Sequence, residues 1–152
     1  MFDHVLSLIR GESDPPRSGD GLKLAVAALL VETARMDDTF DAAERAVILR
    51  LLGARFGLDA AAATRLLAAA ERAEAGASDL FRFTKAVTEA LTSAERIGLI
   101  EMMWEVAFAD GSPDPDEDAL LRRVAGLIGV DDHDRGAAKQ RVMTRLGRSA
   151  RG

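Results

Sequence analysis

A chain of 152 residues, 48% hydrophobic and 30% charged, is long enough for one domain with a real core and too apolar to stay disordered. The net charge of −5 hides an asymmetry. Residues 135–152 carry six basic side chains (Arg135, Lys139, Arg141, Arg145, Arg148, Arg151) and no acid, which leaves 14 basic against 25 acidic residues elsewhere and argues against broad nucleic-acid binding. The lack of cysteine excludes disulfide and thiol chemistry and fits a reducing compartment.

Residues 2–10 predict a short amphipathic helix with Phe2, Val5, Leu6 and Ile9 on one face. The stretch lacks the basic start and cleavage site of a signal peptide, and the longest apolar run, residues 24–31, is far short of a membrane span, so the protein reads as cytoplasmic. Residues 11–21 read as a linker broken by Asp14-Pro15-Pro16 and Ser18-Gly19-Asp20-Gly21. The four prolines stand at 15, 16, 113 and 115, and no stretch alternates with period two. Residues 22–36 predict a long helix whose only polar residue before Glu32 is Lys23, apolar nearly all round and therefore central. Further helices are predicted over 41–56, ending at Gly57; from Asp59 as cap to about Ala75, closed by Gly76; and from Ser78 as cap to about Leu91. Thr92-Ser93-Ala94-Glu95 has the pattern of a capping box and opens a second nearly all-apolar helix through Ala109, in which Met102-Met103-Trp104 reads as core. A helix over 114–128 ends at Gly129, and Asp131 or Asp132 opens the last, to about Leu146.

The fold class read from these elements is all-α: a compact bundle of about seven helices plus the short N-terminal one. Its domain plan is a helix and linker over 1–20, a helical domain over 21–147 and a frayed tail over 148–152. The bundle is internally duplicated. Shifting Glu32, Asp37, Asp41 and Glu44 by 73 residues superposes them on Glu105, Asp110, Asp114 and Glu117. Phe56-Gly57-Leu58-Asp59 matches Ile128-Gly129-Val130-Asp131 at an offset of 72. Each half reads helix, acidic corner, helix, glycine turn, helix, and two copies make one pseudo-symmetric bundle rather than a solenoid.

The eight repeated acids divide by position. Asp41-Ala42-Ala43-Glu44 and Asp114-Pro115-Asp116-Glu117 are capping boxes, in which the carboxylates take orphan backbone amides at the positive end of a helix dipole. Glu32, Asp37, Glu105 and Asp110 stand at the C-terminal ends of apolar helices, penalised both by desolvation and by the dipole. Arginine, loop amides or a cation must compensate. Arg50 and Arg123 match at the same offset, and Arg35, Arg45, Arg96 and Arg122 lie nearby in sequence. A bound cation is the alternative, with Glu32, Asp37, Asp41, Glu44, Glu105, Asp110, Asp114 and Glu117 as ligands; an all-oxygen set favours calcium or magnesium over zinc, since the only other ligand types are His4 and His133. The second loop is not an EF-hand, because its sixth position is Pro115 and its twelfth Leu121. Three functions fit these features: a non-enzymatic module that binds a protein partner, a metal-dependent hydrolase using the same acids, or a peripheral membrane adaptor that uses the N-terminal helix or the basic tail.

At the two corners, residues 25–44 and 101–117, the chain resembles the TerB-like family, named for tellurite-resistance protein B. An apolar helix with a late Glu runs into Ala109-Asp110-Gly111 and an acidic cap ending in Glu117, and Arg82-Phe83-Thr84 between the halves adds to the likeness. The resemblance covers about residues 22–147. It implies a duplicated helical bundle, an acidic surface associated with metal, and a role in tellurite resistance and related stress systems without a known catalytic activity. The first copy departs from the pattern, with Asp38 where the family has Gly.

Overall fold

A computed structural model of the chain describes residues 18–37, 40–76, 80–109 and 111–147, and the side chains of Ser18 and Asp37 are not among what it describes. The expectations for residues 2–10, for Asp38, for Ser78 as a cap, for Asp110 and for the tail therefore lie outside the described residues. Within them are seven helices and no strand: α1 (Ser18–Ala34), α2 (Ala42–Phe56), α3 (Ala60–Ala75), α4 (Phe81–Ala90), α5 (Ser93–Ala107), α6 (Pro115–Leu127) and α7 (Asp132–Arg145). A single 3-10 turn, Arg35–Asp37, follows α1.

Helix starts are written in the side chains. Asp41, Thr92 and Asp114 each close a full capping box with a glutamate three residues on, and Asp59 and Asp131 cap α3 and α7 through one backbone amide each. Gly57 and Gly129 take positive φ (63° and 78°) at the turns after α2 and α6, where a side chain would be strained. Two starts differ from expectation. Helix α1 begins at Ser18, inside the expected linker, with Asp20 in its first turn, where the dipole favours negative charge. Helix α4 begins only at Phe81: the residue in its cap position is Leu80, which makes no side-chain cap bond and is buried in the core, so packing fixes this start.

The apolar-all-round helices are central, as their composition requires. Ala25 through Val31 are all buried in α1, and so are Leu99, Ile100 and Met102 through Ala107 in α5. Helices α1 and α5 pack against each other; α3 and α4 cover α1, and α7 covers α5. Each full burial of a Leu, Met or aromatic side chain contributes roughly 1.5–3 kcal/mol, and the pair buries Leu29, Leu30, Leu99, Met102, Met103 and Trp104. Shifted by 73 residues, the end of α1 falls on the end of α5 and the start of α2 on that of α6; shifted by 72, the start of α3 falls on that of α7. Only α4 has no counterpart among the described helices. The two halves interlock: α2 leans on α5, while α6 leans on α1 and its 3-10 turn.

Candidate functional site at the acidic corners

The cap acids have the geometry expected of them. Asp41 N–H donates to Glu44 Oε1 at 3.1 Å and Glu44 N–H to Asp41 Oδ1 at 2.9 Å; the Asp114–Glu117 box repeats both distances. Glu44 and Glu117 are buried. These four acids therefore hold the starts of α2 and α6, one in each half.

Glu105 sits in the last turn of α5 and is buried. Arg50 Nη2, from α2 in the other half, donates to its Oε2 at 2.7 Å, and Arg145 Nη2 from α7 donates to Oε1 at 2.8 Å. Burial opposes its ionisation, but the hydrogen bonds and charges of Arg50 and Arg145 outweigh it and hold the carboxyl below its ordinary pKa. One turn earlier, Glu101 accepts from Arg141 (3.0 Å) and from Arg145 (2.8 Å). Two acids one turn apart on α5 thus face two arginines one turn apart on α7. The arginine compensation read from sequence is present here, and it crosses between the halves.

Glu32 occupies the equivalent turn of α1 and has a different neighbour. Where the last turn of α7 presents Arg145 to Glu105, the last turn of α3 presents Glu74, which hydrogen-bonds Glu32. Burial, then the Glu74 hydrogen bond, then the Glu74 charge push the Glu32 pKa up to about 7, against the pull of Arg123 and Arg35. Glu74 is itself held by Arg35 at 2.8 Å. Arg123, the offset-73 partner of Arg50, accordingly bears on Glu32 as Arg50 bears on Glu105, at the level of charge. The corners share a backbone plan and differ in electrostatics: Glu105 is held as a carboxylate, whereas the pKa of Glu32 is pushed up to about 7.

The remaining arginines named from sequence serve elsewhere. Arg45 pairs with Glu71 (2.7 Å) and lies over the Phe40 ring, Arg122 pairs with Asp118 (3.7 Å), and Arg96 donates to the carbonyls of Leu91 and Ile128. The basic C-terminal stretch is largely spoken for within the fold: Arg135 pairs with Asp132, Lys139 with Asp118, and Arg141 and Arg145 with the acids of α5. Arg148 and Arg151 lie outside the described residues. Lys139 Nζ also stands 4.8 Å from the Trp104 ring centroid, and among the described residues the buried indole N–H meets no hydrogen-bond acceptor.

Sequence reasoning missed Glu74, Glu101, Arg141 and Arg145 as partners of the corners. The matched one-turn spacing of Glu101/Glu105 and Arg141/Arg145 was the available signal. Among the described residues, no three acidic or histidine side chains come together as a metal-holding group, with Asp110 and the Asp37 side chain outside that statement. Two open clefts flank α2, one over Leu49, Gly53 and Ala63 and the other over Leu51, Gly98 and Met102; none of the eight repeated acids lines either. No helix among the described residues is long and apolar enough to cross a membrane.

Compared with known proteins, residues 23–140 match the model of the family described as tellurite resistance protein TerB. No curated protein and no solved structure matches the chain.

Proposed function

Because the chain belongs to the tellurite resistance protein TerB family, we propose that it is a non-enzymatic helical module of tellurite resistance and related stress responses, which works in the cytoplasm by binding a protein partner. The observation that supports this reading is how the corner acids are used. A general base or nucleophile needs an accessible carboxylate aimed at a substrate space. Asp41, Glu44, Asp114 and Glu117 are built into capping boxes and Glu105 is clamped by two guanidiniums, and two open clefts along α2 are lined by none of them. The membrane-adaptor alternative loses support, because four of the six C-terminal cations already hold acids of the same chain.

The test separates a module from a hydrolase. Chromogenic carboxylic and phosphate esters, offered with magnesium, calcium, manganese or zinc, should show no turnover above buffer. Turnover abolished by Glu44→Gln in a folded variant would overturn the proposal. Cross-linking in the native cell, followed by mass spectrometry of the linked peptides, should join this chain to one recurrent partner through α2 or α5.

A second reading, favoured by the Glu32–Glu74 contact, places a hard divalent cation at the first corner. Glu32 retains a proton near neutral pH beside Glu74, a cation would displace that proton, and the all-oxygen character of the two carboxyls favours calcium or magnesium over zinc. At the second corner Arg50 and Arg145 already neutralise Glu105, which disfavours a cation there. Titration calorimetry with the four metals should give heat that grows as pH rises through about 7 and disappears in Glu32→Gln. No heat from any metal would remove this reading.

A further inference from the structure

Helices α3 and α7 are equivalents in the duplicated plan, yet they use their cations in opposite ways. All four cations of α7, Arg135, Lys139, Arg141 and Arg145, pair with acids of the same chain. The two cations of α3, Arg65 and Arg72, are exposed and pair with no acid among the described residues. The acids of their own helix are taken, Glu71 by Arg45 and Glu74 by Arg35. Acidic residues outnumber lysine and arginine by 25 to 20, so these two are not unpaired for want of acids.

Their register is as telling as their isolation. Helix α3 buries Ala63, Leu67 and Ala70 against the core. The opposite face is the stripe Ala61, Arg65, Ala68, Arg72 and Ala75, spaced alternately by four and three residues; Ala68 is half-buried and the others are exposed. No acid interrupts this stripe. Its two guanidinium-bearing residues stand two turns apart, roughly 10.5 Å along the axis. Shifted by 72, the same stripe of α7 reads His133, Ala137, Gln140 and Thr144, with no lysine or arginine. The duplicated fold therefore has no need of arginines at these positions.

We propose that the outward face of α3 is a docking surface for an acidic helix of a partner protein, whose carboxylates, seven residues apart, pair with Arg65 and Arg72. Charge complementarity selects the sign of the partner. The register selects a helix, because alternation of four and three is the spacing at which two helices mesh, and a guanidinium pairs with a carboxylate through two parallel hydrogen bonds. Arg82 and Lys85 of α4, which also covers α1, likewise pair with no described acid and add positive charge to this layer, against the one exposed acid of α4, Glu89. A second copy of this chain does not supply the match, since none of its described helices carries two acids seven residues apart. A lipid surface would need large apolar side chains beside the cations, and those of α3, Leu66 and Leu67, pack into the core instead. This contact is additional to the one expected through α2 or α5, and neither depends on the other.

The experiment is a nuclear magnetic resonance titration of the full chain, labelled with nitrogen-15, with an alanine-based helical peptide that carries a glutamate at every seventh position. Amide shifts should trace Ala61 through Ala75, weaken with added salt, and vanish when glutamines replace the glutamates. A peptide of the same composition with its glutamates in one block should bind more weakly. Arg65→Glu/Arg72→Glu should weaken the peptide about tenfold, Arg65→Gln/Arg72→Gln should act in the same direction, and Arg122→Gln on α6 should leave binding unchanged. Circular dichroism verifies that each variant keeps its helix. Absence of shifts on α3, shifts that survive the charge reversal, or equal affinity for the blocked peptide would overturn the proposal. So would sedimentation with phosphatidylserine vesicles that depends on the same two arginines, because the occupant would then be a lipid surface.

Discussion

Glu32 and Glu105 stand on equivalent turns of the two central helices and respond to pH in opposite directions. Glu105 has a lowered pKa, so its contribution to stability is present above the ordinary carboxylate range and is lost as pH falls through the folded value. Arg145→Met should destabilise the protein by about 1–2 kcal/mol at pH 7, since the arginine serves two acids but is itself half exposed, and by less near pH 3. Urea denaturation at the two pH values measures this. Glu32 has its pKa raised from 4.5 to about 7, so the stability linked to its proton is complete below 4.5 and declines as pH rises toward 7. Glu32→Gln should match the wild type in thermal stability at pH 4 and exceed it at pH 8. Discounted for the half-exposed site, the gain is about 1 kcal/mol, or roughly 2–5 °C in Tm. An equal or lower Tm at pH 8 would contradict the raised pKa of Glu32. That these two acids need compensation is legible in the sequence, because each sits on an apolar helix at the wrong end of its dipole. Who compensates is not: Glu74 and Arg145 lie about 40 residues away, and only the packing of α3 on α1 and α7 on α5 brings them in.

At the scale of the element, the starts of α2 and α6 depend on one aspartate each. Asp41→Ala and Asp114→Ala should each lower stability by about 1 kcal/mol, because the Asp side chain and its glutamate partner otherwise satisfy amides that the helix cannot. The double variant should be close to additive, since the two caps share no hydrogen bond. Denaturant titration of the three variants settles this, and a much larger loss for one Asp would mean that it has work beyond capping. Capping chemistry is local, so the sequence alone placed the starts of α2, α3, α5 and α6 to within a residue. The described start of α4, at Phe81, is marked by the burial of Leu80, and α1 starts earlier than expected, its glycine-bearing first turn forming despite its composition. At α4 tertiary packing sets a start that no side-chain cap marks, whereas in the first turn of α1 Asp20 meets the positive end of the helix dipole.

For the molecule as a whole, interlocking decides stability. Helices α1 and α5 are apolar on nearly every face, so neither half can shield its central helix alone. Separately produced fragments 1–76 and 77–152 should show little helix by circular dichroism and regain it on mixing. A fragment that folds cooperatively on its own would contradict this account. The Arg50–Glu105 pair fastens the two halves, so a double-mutant cycle across it should report coupling of about 0.5–2 kcal/mol.

The position of Trp104 has a practical consequence. It is the only tryptophan, the chain has no tyrosine, and it lies buried in α5 beneath Lys139 of α7. The protein thus carries a single intrinsic fluorophore at the seam between two helices, with a cation over its ring and no acceptor on its indole N–H among the described residues. Any event that parts α7 from α5 will shift its emission to the red, so opening of this seam can be timed in a stopped-flow instrument with no label attached.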